Sequence, residues 1–432
     1  MRFAPIRTAL ALVLGVAFSM SAGAAAAQES GVDAAREQAK VAPANGEAAL
    51  AYGRALRRAG READALVELR RGVGTSAGKG ELVGRLEWEI ARAHIGRREF
   101  EPAMSSCKAM AKVAIGASHV CAAEAHLLWR RGTEAESEIA QALKGNVPLE
   151  VKYFAKVALG RAQELASKDD AAEATYREAV TIAETRPEAH VLLGLILNRV
   201  GKDGLPSLRK AVEVDASDPL AQLELGRVLP SGSRESLAAL EASVAQRPTS
   251  TDALRALGEG YVSANRLPDA RRIVATVLKL APHDVGTHVV AGRLALAEGQ
   301  ADEAIKEGET AAKLMPNVQP ARLLVADAYA KKGEIDLAVE AYQAAFGLDH
   351  SDPTPLVNAS AACLAAGRVT SAKAFGVRAT HDFGSNGAAW TALGDALAAD
   401  RDVPGAKVAY ETAKKARGVD ASAIDKKLSR LK

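Results

Sequence analysis

Residues 319–352 read QPARLLVADAYAKKGEIDLAVEAYQAAFGLDHSD, and residues 353–386 read PTPLVNASAACLAAGRVTSAKAFGVRATHDFGSN. Aligned without a gap, they share a small residue at the eighth place (Ala326, Ser360), glycine at the fifteenth (Gly333, Gly367) and alanine at the twentieth (Ala338, Ala372). The frame extends both ways into five 34-residue units that start at Thr251, Val285, Gln319, Pro353 and Gly387 and end at Asp420. Across them the eighth place is Gly258, Gly292, Ala326, Ser360 and Gly394; the twentieth is always alanine (Ala270, Ala304, Ala338, Ala372, Ala406). A fixed period of this length marks one supersecondary unit repeated, since a single unit cannot bury its apolar face alone. Gly299, Gly333 and Gly367 allow a left-handed backbone where a first helix stops, and Pro282 and Pro316 stand just past a second helix. Each unit therefore predicts two antiparallel helices. Small residues at places eight and twenty let their axes approach, and bulkier ones at seven, eleven and twenty-four fill the space alongside.

Upstream the columns persist with more substitution. Units near Gly46 (Gly53, Leu56, Ala65, Leu69), Gly84 (Ala91, His94, Ala103, Cys107), Gly116 (Ala123, His126, Ala135, Ile139) and Tyr153 (Gly160, Ala172, Tyr176) keep them. Units near Pro187 (Gly194) and Pro219 (Gly226) are each two residues short around the inter-helix turn, where loops tolerate length changes. These columns, with Trp390, Leu393, Gly394, Leu397, Ala406 and Tyr410 in the last unit, resemble the tetratricopeptide repeat. The resemblance implies an all-α fold, a right-handed α-solenoid of about eleven helix-turn-helix units in one continuous array. Residues 46–250 would be degenerate repeats and 251–420 five regular ones. Residues 421–432, with Lys426, Lys427, Arg430 and Lys432 beside Ile424, Leu428 and Leu431, would form a capping helix. Changes of superhelical curvature are expected near Pro206 and Pro230.

Composition agrees with helix packed on helix. Of 432 residues, 48% are hydrophobic but only 17 are aromatic, so the apolar mass is Ala, Leu and Val. Charged residues are 25% of the chain with both signs present, which excludes general disorder and a strongly basic nucleic-acid binder. At the start, Arg2 and Arg7 precede the apolar run Thr8 to Phe18, and Ser19 to Ala27 is rich in small residues and ends in an A-x-A site. That is the layout of a secretory signal peptide spanning 1–27, cut near Ala27. The run is short of the roughly 20 residues that span a bilayer, which disfavours an uncleaved anchor and leaves no transmembrane helix in the mature chain. No cysteine follows the cut to carry a lipid. Removing 1–27 takes the formal charge from +3 to +1, and Gln28 to Asn45 follows as a polar lead-in. The expected location is the periplasm or the exterior.

No phosphate-binding glycine loop, zinc-protease helix or nucleophile elbow occurs, so neither a catalytic site nor a cofactor is expected. His94, Cys107, His119, Cys121 and His126 have the ligand chemistry of a soft-metal site. They lack chelate spacing, however, and His94, Cys107 and His126 fall at packing places, so no metal is assigned. A disulfide between Cys107 and Cys121 is the stronger expectation. The two sit on adjacent helices of successive units, and an exported chain meets an oxidising compartment. Cys363, at a packing place, is then a buried free thiol. Tyr176, Tyr261, Tyr329, Tyr342 and Tyr410 occupy places eleven or twenty-four and read as core, as does Trp390; Trp88 and Trp129 are free to be exposed.

In proteins of this resemblance the first helices line a concave groove, with places two, five, nine, twelve and thirteen towards a partner. Place nine here is Arg54, Arg92, Glu124, Arg161, Leu195, Arg227, Glu259, Arg293, Asp327, Ala361 and Asp395, joined by Arg57 and Arg58. The early part is mainly basic and the later part mainly acidic, a gradient that would orient an extended segment. An ordinary solvated face gives the same pattern. The lysine and asparagine that clamp chaperone tails elsewhere in the family are not in place, so that partner is not implied. The expected role is an exported scaffold without catalysis, holding a protein or peptide partner and no nucleic acid. The alternative is an accessory subunit of an envelope polysaccharide or lipid system.

Overall fold

The computed structural model describes residues 22–58, 61–76, 79–145, 147–416 and 419–431. Residues 1–21 of the expected leader lie outside that set. The described residues are helical throughout, with tight turns between helices and no strand among them. They form two compact units, residues up to Ala256 and Leu257–Lys432. Where the sequence suggests one continuous array, the division falls inside the helix Thr251–Ser263, early in the first regular repeat. In a helical stack each hairpin packs only on its neighbours, so compactness is local and nothing obliges one body.

The lead-in is a helix. α1 (Ala22–Val41) runs through Ala27 and packs on α2 (Gly46–Arg58) with Val32 and Ala39 buried. Hairpins follow: α2 with α3 (Glu62–Thr75), α4 (Gly80–Gly96) with α5 (Phe100–Met110), α6 (Ile115–Leu128) with α7 (Gly132–Ala142), and α8 (Leu149–Leu165) with α9 (Asp169–Ile182). The two shortened repeats are α10 (Pro187–Arg199) with α11 (Leu205–Val214), and α12 (Pro219–Val228) with α13 (Arg234–Gln246). The missing residues come out of helix ends bordering the turn: α11 starts late and α12 stops early. α14 (Thr251–Ser263) and α15 (Leu267–Leu280) open the regular repeats. They continue as α16 (Val285–Ala297) with α17 (Ala301–Leu314), α18 (Gln319–Lys332) with α19 (Ile335–Leu348), α20 (Thr354–Ala365) with α21 (Val369–Asp382), and α22 (Gly387–Ala399) with α23 (Val403–Lys415). α24 (Ala421–Arg430) covers the end, burying Ile424 against Ala406, Tyr410 and Ala413.

Helix starts are set by side chains that take up the exposed N–H groups of the first turn. Asp218, Asp284, Asn386 and Asp402 each accept from the backbone N–H three residues on, and Pro320 stands in the first turn of α18. The turn inside each hairpin is more uniform than the glycines alone suggest. The fifteenth place is left-handed not only at Gly299, Gly333 and Gly367 but also at Arg98, Arg130, Ser167, Gly201, Asn265 and Arg401 (φ between 56 and 80°). Non-glycine residues accept that conformation at about 1 kcal/mol each because the packing on either side requires the turn.

The columns at eight, twenty and twenty-four meet in space. A Cβ on Gly53, Gly160, Gly194, Gly226 or Gly394 would lie 2.3–2.7 Å from Leu69, Tyr176, Leu208, Leu240 or Tyr410, the place-twenty-four side chain of the same hairpin. The nine place-twenty alanines from Ala65 to Ala406 are fully buried. In the shortened hairpins that place is Gly204, whose Cβ would fall 2.0 Å from the Gly194 carbonyl oxygen, and Ser236, whose hydroxyl donates to the Gly226 carbonyl at 2.7 Å. Of the tyrosines expected in the core, Tyr176, Tyr261, Tyr342 and Tyr410 are buried, but Tyr329 is only half-buried, being further from the hairpin contact.

Candidate binding face

Many of the first-helix residues expected to face a partner are engaged within the chain. Arg54 Nε donates to Glu89 Oε1 at 2.8 Å and Arg57 Nε to Glu89 Oε2 at 2.9 Å, linking α2 to α4 of the next hairpin. Glu89 is only 4% exposed. Burial alone would push its carboxyl up, but the charges of Arg57, Arg92 and Arg54 outweigh it and hold the group below the usual carboxylate range. The side chain of Arg58 lies outside the described residues. Glu89 occupies the sixth place of its unit, and the nine-to-six link recurs where Asn358 Nδ2 donates to Asp327 Oδ1 at 3.1 Å. Lys427 of α24 does the same for Asp395, at 2.6 and 2.8 Å. Arg293 Nη1 reaches Glu259 Oε1 at 2.7 Å, joining two consecutive ninth places. Arg227 turns back along its own helix to Glu224 at 2.9 Å, whose carboxyl burial pushes up.

Several ninth-place charges are thus held by side chains of their own or an adjoining helix. Exposed Arg92 and half-buried Arg161 form no ion pair among the described residues. Around Glu89, two guanidinium groups are bonded to one carboxylate and the charge of Arg92 acts on it as well, which leaves that patch cationic.

A second layer of the repeat ties the ninth place to the twenty-fourth. Tyr342 donates its hydroxyl hydrogen to Asp327 and Tyr410 to Asp395, each at 2.6 Å, while Tyr410 covers the place-eight glycine. Burial, then the adjacent carboxylate, raises both phenols, and burial raises Asp327. The signal was there: these two units pair Asp at nine with Tyr at twenty-four. Trp88 and Trp129 are half-buried, against Phe154 (ring centroids 6.0 Å apart) and Phe100 (5.0 Å).

The His and Cys cluster does not converge. Cys107 and Cys121 are joined by a disulfide with Cα atoms 5.4 Å apart, tying α5 to α6. His94 Nδ1 donates to Glu99 at 2.6 Å and His119 Nδ1 to Glu138 at 2.7 Å. His126 is buried against Phe100. No group of three or more potential metal ligands occurs among the described residues. Cys363 is a buried free thiol, raised by that burial. No described helix is long and apolar enough to cross a membrane.

The tetratricopeptide repeat family model matches residues 289–353. A search of curated proteins finds no match. Among solved structures, yeast Tom70 is similar over 89% of this chain and 95% of its own, at 11% identity and TM-score 0.47. Human IFIT1, in a dimer with PPP-AAAA, is similar over 77% and 90%, at 17% identity and TM-score 0.43. A thermophilic TPR protein of Thermus thermophilus is similar over 41% and 99%, at 22% identity and TM-score 0.38. The matched stretch 289–353 is tetratricopeptide repeat, and the same helix pair is laid out on either side of it in an all-α helical-repeat chain.

Proposed function

We propose that the chain is an exported, non-catalytic scaffold that holds an acidic protein or peptide segment on the first-helix face around Glu89. The observation that carries this is the charge imbalance there. Arg54, Arg57 and Arg92 surround one buried carboxylate, and a surplus of positive charge at a surface steers and orients anionic partners. Half-buried Trp88 of α4 and Phe154 of α8, whose rings meet, supply apolar contact. Export is supported by the leader at 1–27 and by the Cys107–Cys121 disulfide, which suits an oxidising compartment.

The test is crosslinking and affinity recovery from the envelope fraction with Arg92→Glu and Arg161→Glu, which disturb no internal ion pair. Partners recovered by wild type and by a Lys144→Glu control, but lost in the double variant, support the reading. Equal recovery from all three refutes this face. Amino-terminal sequencing of the periplasmic form should begin at Gln28; a chain that keeps Met1 to Ala27 in the cytosol overturns export.

A further inference from the structure

At the fourth place of four first helices, α10, α12, α16 and α22, a side chain clasps the preceding loop. His190 Nε2, Gln222 Nε2, His288 Nε2 and Trp390 Nε1 each donate to the carbonyl six residues earlier (Glu184, Ala216, Pro282, Gly384) at 2.8–3.0 Å. In the second hairpin that place is Glu87, whose side chain has no N–H to give. Glu87 turns instead to the Ser106 hydroxyl on α5. A cavity of about 350 Å³ opens beside it, bounded by α3, α4 and α5, with Val73, Ile90 and Ala109 as apolar wall.

The polar groups of this cavity carry opposite charge. Arg70 lines it with a guanidinium of five N–H donors, one of which is spent on His94 Nε2 at 3.3 Å. His94 Nδ1 donates to Glu99, and the ring meets Arg70 through Nε2, which orients the guanidinium. Burial pushes the Glu87 carboxyl up against the opposing pull of Ser106, Arg70 and His94, a cost that an arriving cation would relieve. The cavity thus offers one cation and one carboxylate over an apolar wall, at the small end of the size range for ligand sites.

We infer that the cavity between α3, α4 and α5 binds a small zwitterion of the α-amino-acid class, its carboxylate on Arg70 and its ammonium on Glu87 and Ser106. The site is separate from the face around Glu89, and its test involves no protein partner, so either reading can fail alone. The experiment is calorimetric titration of the purified chain with each of the twenty L-amino acids, and with inorganic phosphate. Expected is at least one amino acid with Kd below about 1 mM, weakened about 10- to 100-fold by Arg70→Gln and by Glu87→Gln. Ala109→Leu, which crowds the apolar wall while keeping both charges, should weaken binding at least about tenfold, and circular dichroism melts check that each variant folds. Should Arg70→Gln misfold, Ser106→Ala and Ala109→Leu carry the test. The inference is overturned if no amino acid binds below about 1 mM, or if Ala109→Leu leaves the affinity unchanged. It is equally overturned if phosphate binds as well as the amino acids and is indifferent to Glu87→Gln.

Discussion

Gly394→Ala places one methyl group where the hairpin of α22 and α23 has no room. The new Cβ would stand 2.5 Å from Tyr410 Cε1 and 2.6 Å from Cδ1, against about 3.5–4.0 Å for carbon atoms in contact. The ring must therefore move by about 1 Å. It is not free to do so, because its hydroxyl is held by Asp395 at 2.6 Å and Asp395 is held in turn by Lys427 of α24. Overpacking costs about 1–3 kcal/mol, and losing the hydroxyl-to-carboxylate bond about 1.5–3 kcal/mol more. Alanine recovers about 0.5–1 kcal/mol over glycine within a helix, so the net is about 1.5–5.5 kcal/mol. For a unit of this size that lowers the midpoint by about 3–20 °C.

Trp390 is the one tryptophan after Ala256, so its fluorescence in a Trp88→Phe/Trp129→Phe background follows this unit alone. The matched comparison is Gly347→Ala in α19, where an added Cβ meets nothing within 4 Å and should raise the midpoint slightly. Tyr410→Leu should absorb part of the Gly394→Ala cost, giving a coupling of about 1 kcal/mol in the double-mutant cycle. A Gly394→Ala midpoint equal to or above that of the parent protein would show that the Tyr410 contact does not hold the hairpin.

Other outcomes follow from the same contacts. Arg401→Gly relieves a left-handed backbone (φ 64°) and should stabilise its hairpin by about 1 kcal/mol in urea unfolding; destabilisation would mean the arginine side chain matters more than the turn. Glu89→Gln leaves Arg54 and Arg57 sharing a neutral acceptor and should cost about 2–3 kcal/mol, whereas Glu235→Gln, the exposed partner of Arg209, should cost less than about 1. Equal effects would place Glu89 in solvent. Reducing the Cys107–Cys121 bond, or replacing both residues with serine, should lower stability by about 3 kcal/mol on a 14-residue separation, read by chemical unfolding; no change would argue against the bond. Hydrogen bonds from Arg97 and His94 bring the Glu99 carboxyl from 4.5 down to about 2. Its contribution is therefore full above pH 4.5 and is lost as pH falls towards 2, and Glu99→Gln should flatten the stability profile over that window alone.

How far the chain could be read in advance depends on how far apart the interacting residues lie. Glycines at the fifteenth place announced the turn, yet Arg98, Arg130, Ser167, Asn265 and Arg401 adopt it as well, since packing imposes what composition only favours. The tyrosines at place twenty-four were placed in the core from spacing, while the Asp327 and Asp395 that receive their hydroxyls were assigned to a partner. Charge counted along one column shows sign and not company. Glu89 lies 35 residues from Arg54, in a place where other units carry Val290 or Asn358, so nothing in the column marked it.

The sequence by itself determined the helices, their pairing into hairpins and the period, because helix start, stop and close approach depend on residues a few positions apart that recur every 34. The tertiary structure alone decided which charges neutralise one another across neighbouring hairpins, that Cys107 and Cys121 come within bonding distance, and that Glu87 faces Arg70 over an open cavity. Those outcomes turn on side chains from three helices converging within a few ångströms, a geometry that the backbone has to set before charge or chemistry can act.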